Sequence, residues 1–290
     1  MLGIRLSSPV VVGSGLLTDQ ERTIRRLLER GAGGVVTKTI HPNPPPGGGE
    51  RIVRIRGGML NSTTYSRRPV PAWCDTLRRF AHEQLPVVAS VHADSPGELA
   101  ALCEEIEATG CPGLELGISC INEDGFDDTP QRVGEYTAAV RQRVRLPISV
   151  KLAVDGGTRA RLEAAAEAGA DAITLSDTIP GLAVDPESGE PVLGGVYGYS
   201  GDGLKPLVLA EIYSLRRHGV DIPILASGGV REAADVVEYL SVGASAVQVY
   251  SALHRDMYAT LRRICVGYTD WLSGRDESTR DLVGRALRKE

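Results

Sequence analysis

An α/β fold of the (β/α)8 barrel class is what this 290-residue sequence predicts, and three features predict it. Eight short runs rich in Val, Ile, Leu and Ala recur along the chain, each ends in small or polar residues, and each is followed by a helical pattern. A strict alternation of eight such units over about 250 residues is what a parallel eight-stranded barrel looks like in sequence. The runs occupy residues 9–15, 34–39, 86–92, 113–120, 147–153, 172–178, 223–229 and 246–252. Several are almost continuously apolar, such as Val10-Val11-Val12 and Val35-Val36, as strands buried on both faces must be. A doubly wound open sheet is the rival architecture. It requires a composition change or a switch point, and none is visible, so one barrel domain over 1–290 is expected.

The connecting segments carry their own signals. Residues 18–30 form an Arg- and Leu-rich helical pattern that closes at Gly31; 95–109 closes at Gly110 and 158–168 at Gly169, each glycine a suitable C-cap. In Ser95-Pro96-Gly97-Glu98 the serine fits an N-cap, proline the first turn and glutamate the third helical position, a capping box. Pro86, Pro147 and Pro223 each precede a strand, where a missing N–H costs little. Three irregular segments follow strands. Residues 41–59 carry Pro44-Pro45-Pro46-Gly47-Gly48-Gly49, which reads equally well as a solvated linker, and then Arg51-Ile52-Val53-Arg54-Ile55-Arg56, a small excursion hairpin. Residues 121–129 are acidic and expected to be mobile, and 181–203 mix glycine, proline and charge.

Composition narrows the function classes. Lys plus Arg total 32 and Asp plus Glu 37, a formal charge of −5. Mild acidity spread along the chain argues against a nucleic-acid or anionic-membrane partner. No stretch approaches the roughly 20 apolar residues of a membrane span, and Met1-Leu2-Gly3-Ile4-Arg5 does not resemble a signal peptide, so a cytoplasmic protein is expected. Five cysteines (74, 103, 111, 120 and 265) form an odd set without Cys-x-x-Cys spacing, which excludes a tidy disulfide framework and argues against a bound metal.

A barrel places its chemistry at the C-terminal ends of its strands. Those ends supply Ser14-Gly15, Thr37-Lys38-Thr39, Ser119-Cys120-Ile121-Asn122, Lys151, Ser176-Asp177-Thr178, Ser227-Gly228-Gly229 and Tyr250-Ser251. Two lysines inside otherwise apolar strands are costly to bury without partners; at one rim, they point to an anionic or electron-rich ligand. Gly228-Gly229 before Val230-Arg231-Glu232 fits a loop that bares backbone N–H groups to a phosphate. Cys103, Cys111 and Cys265 read as ordinary buried thiols. Cys120, flanked by Ser119 and Asn122, does not.

Thr37-Lys38-Thr39, Gly58-Met59-Leu60-Asn61-Ser62, Ile118-Ser119-Cys120-Ile121-Asn122, Val150-Lys151-Leu152, Ser200-Gly201 with Lys205-Pro206, and Ser227-Gly228-Gly229 resemble, in order and spacing, the dihydroorotate dehydrogenase family. A cysteine in the fourth-strand loop and no N-terminal membrane-associating helix resemble its soluble class. The resemblance implies FMN as cofactor. Lys38 and Lys151 would lie near the isoalloxazine, where positive charge favours the anionic reduced flavin. Gly228, Gly229 and Ser251 would hold the phosphate, with Ser14, Gly15, Thr39, Ser176, Gly201, Ser227 and Tyr250 along the rest of the cofactor. Cys120 would be the acid/base, aided by Lys38, with Asn61, Asn122, Asp177 and Thr178 on the substrate. Soluble relatives are often dimers, which makes a homodimer the expected assembly. The electron partner is open.

The sequence also departs from that family. The expected asparagines are Gly117 at the fourth strand and Asp177 at the sixth, Thr63-Thr64-Tyr65-Ser66-Arg67 replaces an apolar–Gly–apolar segment and another asparagine, and Tyr250 stands where a glycine is expected and would crowd the phosphate loop. An ionised Asp177 only accepts hydrogen bonds and favours ring N–H or amine groups. The expected substrate is therefore a small nitrogen-containing ring other than dihydroorotate. The alternatives are a conventional dihydroorotate dehydrogenase of pyrimidine biosynthesis, a non-catalytic flavin-binding barrel, and a flavin-free aldolase or isomerase with Lys151 as Schiff base.

Overall fold

The computed structural model describes residues 2–44, 50–118, 120–122, 128–275 and 277–288. Twelve strands occur among them: β1 (Val10–Val12), β2 (Gly34–Val36), β3 (Ile52–Ile55), β4 (Gly58–Asn61), β5 (Val87–Val91), β6 (Leu114–Gly117), β7 (Ile148–Leu152), β8 (Ala172–Leu175), β9 (Ile179–Gly181), β10 (Tyr197–Ser200), β11 (Ile224–Ser227) and β12 (Ala246–Val249). Eight close into a barrel in the order β1-β12-β11-β8-β7-β6-β5-β2, every neighbouring pair parallel. These are the eight runs read from the sequence. Around them lie α1 (Glu21–Glu29), α2 (Val70–His82), α3 (Pro96–Glu107), α4 (Pro130–Arg143), α5 (Thr158–Glu167), α6 (Lys205–Arg217), α7 (Ala233–Ser241), α8 (Met257–Ser273) and the short α9 (Thr279–Leu282).

The helix ends follow their sequence signals. Gly31, Gly110 and Gly169 all take positive φ just past their helices, the backbone state glycine adopts without steric cost. Ser95 accepts the Glu98 N–H at 3.3 Å, but the Glu98 carboxylate receives the Ser95 hydroxyl at 2.9 Å. The cap therefore forms with its second arm on the side chain of Ser95.

The floor of the barrel is apolar. Val11, Val36, Val88, Ala172, Leu225 and Ala246 pack with Leu2, Ile4 and Leu6 of the N-terminal segment, which plugs that end. Fully burying one such valine or leucine stabilises the fold by about 1.5–3 kcal/mol. Above the floor the interior turns polar: Glu115 Oε2 accepts from Thr174 Oγ1 at 2.9 Å and Gln248 Nε2 at 2.8 Å, and Ser149 Oγ meets Thr174 Oγ1 at 2.9 Å. These bonds satisfy part of the layer, while Glu115 Oε1 and Gln248 Oε1 have no hydrogen-bond partner among the described residues, and the layer faces the end where chemistry belongs.

The excursion hairpin expected at 51–56 forms as β3–β4. The 181–203 loop contributes more than an irregular segment, because β9 and β10 extend that hairpin into one antiparallel sheet ordered β3-β4-β10-β9. Leu60 opposite Tyr199 and Asn61 opposite Gly198 fix its register. This sheet arises from the loops after β2 and β8, which occupy opposite positions in the ring of eight. It joins two sides of the C-terminal mouth and separates an arc of β5, β6 and β7 from an arc of β11, β12 and β1. The expectations for residues 45–49 and for the acidic 123–127 lie outside the described residues.

Candidate active site

One cavity opens at the C-terminal mouth. Ser14, Gly15, Lys38, Thr39, Asn61, Cys120, Asn122, Lys151, Ser176, Asp177, Thr178, Ser227, Gly228, Gly229, Tyr250 and Ser251 all line it. Gly201 does not. Its φ is +124°, and a Cβ there would lie 2.3 Å from the Gly58 Cα, so this glycine lets the chain pass against the β3–β4 hairpin.

In the β11–β12–β1 arc the backbone is shaped by glycine. Gly228 and Gly229 have φ of +141° and +65°, and a Cβ on Gly229 would meet Lys205 Cβ at 2.8 Å and Gly201 O at 2.9 Å. The Tyr239 hydroxyl on α7 donates to the Gly228 carbonyl at 2.6 Å. In a trans peptide the N–H points away from the C=O, so the Gly229 N–H is aimed off the helix on the side where both glycines line the cavity. Lys205 is held by Asp235 at 2.5 Å and Glu238 at 2.8 Å. Bared N–H groups beside a helix start suit an anionic group such as phosphate.

Tyr250 packs against the loop after β1. Its ring lies over Gly15, where a Cβ would come within 2.1 Å of it, and its hydroxyl accepts the Leu17 N–H at 3.4 Å. The bulk is thus taken up by the loop after β1, and burial pushes the phenol up to about 12.

Two lysines and one cysteine meet in the same cavity. Lys38 is only 4% exposed, and that burial holds its ammonium below the ordinary lysine range, while the charges of Cys120, Glu50 and Asp19 pull the other way. Lys151 suffers the same burial, but Asp177 and Glu115 outweigh it and keep the ammonium above its ordinary value. Lys151 Nζ lies 3.4 Å from Asp177 Oδ1. Cys120 acts electrostatically on both lysines, and cationic neighbours are what favour a thiolate. The other four thiols are buried, and burial pushes Cys74, Cys111 and Cys265 each up to about 11.

The two asparagines spend their amides on each other and on the overlying sheet. Asn122 Nδ2 donates to Asn61 Oδ1 at 3.2 Å and to the Thr63 carbonyl at 2.8 Å, while its Oδ1 accepts the Gly198 N–H at 2.9 Å. Asn61 Nδ2 donates to Gly198 O at 3.2 Å, and its Oδ1 accepts from Thr63 Oγ1 at 2.9 Å. This clamp ties the loop of Cys120 to β4 and β10.

Sequence reasoning passed over the stack beside it. Tyr65 and His92 line the cavity, their rings 4.9 Å apart and 9° from parallel, and His41 completes a three-ring cluster, 4.6 Å from Tyr65 and 5.5 Å from His92. Tyr65 is positioned by Ser66, whose N–H reaches Thr39 O at 2.8 Å and whose hydroxyl donates to Asp19 at 2.5 Å and accepts from the Trp73 indole at 2.9 Å. Burial lowers His92 to about 4, so the ring is neutral. Its Nδ1 lies 2.7 Å from the Gly117 carbonyl, which can only accept, so Nδ1 carries the proton. The signal was available, since His92 ends the third strand run. His41, His92 and Asp94 also offer donor atoms within 4.8 Å of one another. His41 Nδ1, however, accepts the Asn43 N–H at 3.0 Å, which puts its proton on Nε2, 3.4 Å from Asp94 Oδ1. That tautomer leaves no lone pair on Nε2 for a metal.

Residues 1–272 match the family model described as dihydroorotate dehydrogenase. The chain belongs to the dihydroorotate dehydrogenase family. Among curated relatives, the catalytic subunit of dihydroorotate dehydrogenase B (NAD(+)) from Pyrococcus horikoshii is 33% identical over 99% of this chain and 97% of its own length. The equally named subunit from Methanothermobacter thermautotrophicus is 32% identical over 98% and 96%. That from Methanosarcina acetivorans is 34% identical over 88% and 84%. The barrel and the family resemblance read from the sequence are borne out, and membership makes this chain a flavin-dependent oxidoreductase of the CH–CH class. Among the described residues, no helix is long and apolar enough to cross a membrane.

Proposed function

We propose that this chain is an FMN-dependent oxidoreductase that moves a hydride between a C–C bond of a small nitrogen-containing ring and flavin N5, with a substrate other than dihydroorotate. The observation that carries the reading is the meeting of Cys120, Lys38 and Lys151 in one cavity with the Gly228-Gly229 loop. The residues fit the cofactor: the cavity combines glycines that leave no room for a Cβ with two cations, Lys38 buried and Lys151 half-buried. Gly228, Gly229 and Ser251 would take the phosphate, and Ser14, Gly15, Thr39, Ser176, Ser227 and Tyr250 the remainder. When bound, FMN supplies the two-electron hydride chemistry.

The chain's own groups do the rest. Cys120 takes or returns the proton at the ring carbon next to the one that exchanges hydride. A thiol of ordinary pKa about 8.5 becomes a usable base near neutral pH when cations flank it. Lys38 and Lys151 stabilise negative charge at the ring system beside them. Thr178 lies next to Asp177, whose Oδ1 accepts its N–H at 2.7 Å, and the pair is offered to substrate N–H groups. Asn61 and Asn122 hold the Cys120 loop in place over the substrate.

The departures at Gly117 and Asp177 support a changed substrate, because a site built on hydrogen bonds discriminates steeply when its partners change. The names of the relatives favour a second reading, a conventional dihydroorotate dehydrogenase. They also favour a nicotinamide-linked partner subunit for this cytoplasmic enzyme. The deciding experiment follows the yellow FMN-loaded protein anaerobically at about 450 nm, where oxidised isoalloxazines absorb. Bleaching by an uncharged dihydropyrimidine and little response to dihydroorotate is the expected result. Fast bleaching by dihydroorotate would establish the second reading instead.

A further inference from the structure

Lys151 stands between two carboxylates. On β7 it pairs in register with Gly117 of β6 on one side and Thr174 of β8 on the other. Glu115 lies two residues back along β6, in the polar layer under the cavity, where its Oε2 is taken by Thr174 and Gln248. Asp177 follows β8 and lines the cavity with Lys151, and its Oδ1 comes within 3.4 Å of Lys151 Nζ. The chain itself fixes that carboxylate. The Asp177 N–H donates to the carbonyl of Leu152, next to Lys151 in β7, at 2.9 Å. The Asp177 carbonyl accepts the Ser176 hydroxyl at 2.6 Å, and its Oδ1 accepts the Thr178 N–H at 2.7 Å. The lysine side chain is 15% exposed and the aspartate 35%, so water and salt screen the pair only in part.

We infer that Asp177 is the counter-ion of Lys151 and that, by offsetting part of the charge this lysine presents to the cavity, it lowers the reduction potential of the flavin bound there. The inference deepens the function proposed above and rests on its FMN. Asp177 acts here through the lysine, as a positioning residue, and its part in holding substrate is separate. The sign follows from the charges. Reduction places negative charge on the flavin ring system, and a cation beside it favours the reduced form. A carboxylate close to that cation takes back part of the attraction, since its own field at the ring has the opposite sign. Burial lowers the Lys151 ammonium, but Asp177 and Glu115 together hold it above its ordinary value, so the lysine enters the pair charged. Glu115 and Cys120 also act on Lys151, and both stay in place in the variants that follow. The amide that the family resemblance leads one to expect at position 177 carries no charge, and with it the lysine would act on the ring with less compensation.

The test is the midpoint potential of the FMN-loaded protein, measured anaerobically at fixed pH against a reference dye. Asp177→Asn keeps an oxygen for the Thr178 N–H and removes the charge. Its potential should rise by about 30 mV or more, a tenfold gain in the equilibrium constant for two-electron reduction. Asp177→Glu keeps the charge and should stay near the wild-type potential. Asp177→Ser also removes the charge and takes the place of the asparagine variant should that one not load FMN. An unchanged or lower potential in the uncharged variants, or an equal rise in Asp177→Glu, would overturn the inference, because a merely structural role would not sort the variants by charge. Those results would leave the proposed function standing. Failure of the wild type to take up FMN would overturn that function and the inference together.

Discussion

The two arcs of the barrel mouth are built on different principles. In the β11–β12–β1 arc, the backbone dictates the residues: Gly228 and Gly229 take positive φ, and Gly15 and Gly229 have no room for a Cβ. In the β5–β6–β7 arc, Gly117 has ordinary strand geometry and open space, and His92, Cys120 and Lys151 line the cavity with it. The first arc keeps the Ser227-Gly228-Gly229 motif and departs at Tyr250. The second keeps the cysteine and the lysine and changes the amides. Residues held by geometry cannot change without moving the chain, whereas residues held by a ligand change when the ligand does.

The sharpest test of the second arc is its acid/base. Cys120→Ser should slow substrate-dependent flavin reduction by about 10²–10⁴-fold and leave FMN bound, because the phosphate arc lies elsewhere. Stopped-flow reduction of the loaded protein measures this, and an unchanged rate would remove Cys120 from the chemistry.

His92 gives the next largest effect, and it appears in stability. Its pKa falls from 6.5 in an open chain to about 4 in the fold. Above the upper value neither state binds the proton. As pH falls from there towards 4 the unfolded chain takes it up first, so stability declines with acid, by up to about 3 kcal/mol. His92→Asn should flatten that slope, as read from denaturation midpoints between pH 4 and 7. An identical slope in the variant would mean that the ring is not held neutral in the fold.

The uneven legibility of the two arcs has the same origin. The eight strand runs, the glycine caps after α1, α3 and α5 and the Gly228-Gly229 loop were readable because each follows from local backbone preference. The sheet of β3, β4, β10 and β9 was half readable. Arg51 to Arg56 announces a hairpin, but its union with β10 depends on two loops meeting over the mouth, and no local pattern encodes that. The asparagine clamp was hidden for the same reason: Asn61 and Asn122 meet through the Gly198 backbone, which a distant loop supplies. The seat of the Tyr250 ring was hidden too, since it lies over a glycine 235 residues earlier in the chain. His92 was plain at a strand end, yet its tautomer and neutrality come from Gly117 and from burial.

The smallest effects separate the arcs most directly, through one methyl group placed in each. Gly229→Ala must leave a φ of +65° or push a Cβ to 2.8 Å from Lys205 and 2.9 Å from the Gly201 carbonyl, a strain of about 1–3 kcal/mol. Relief would come by moving the loop, so FMN affinity should fall roughly tenfold or more for every 1.4 kcal/mol lost, with a lower melting temperature for the loaded protein. Gly117→Ala adds the same methyl to a strand with open space beside it. Alanine is the better residue there for backbone entropy, by about 0.5–1 kcal/mol, so its melting temperature should hold or rise slightly and FMN content should be unchanged. Equilibrium dialysis and thermal melts of the two variants in parallel measure both. Equal losses would mean that Gly117 is as constrained as Gly229, and the distinction between an arc set by the backbone and an arc set by the ligand would fail.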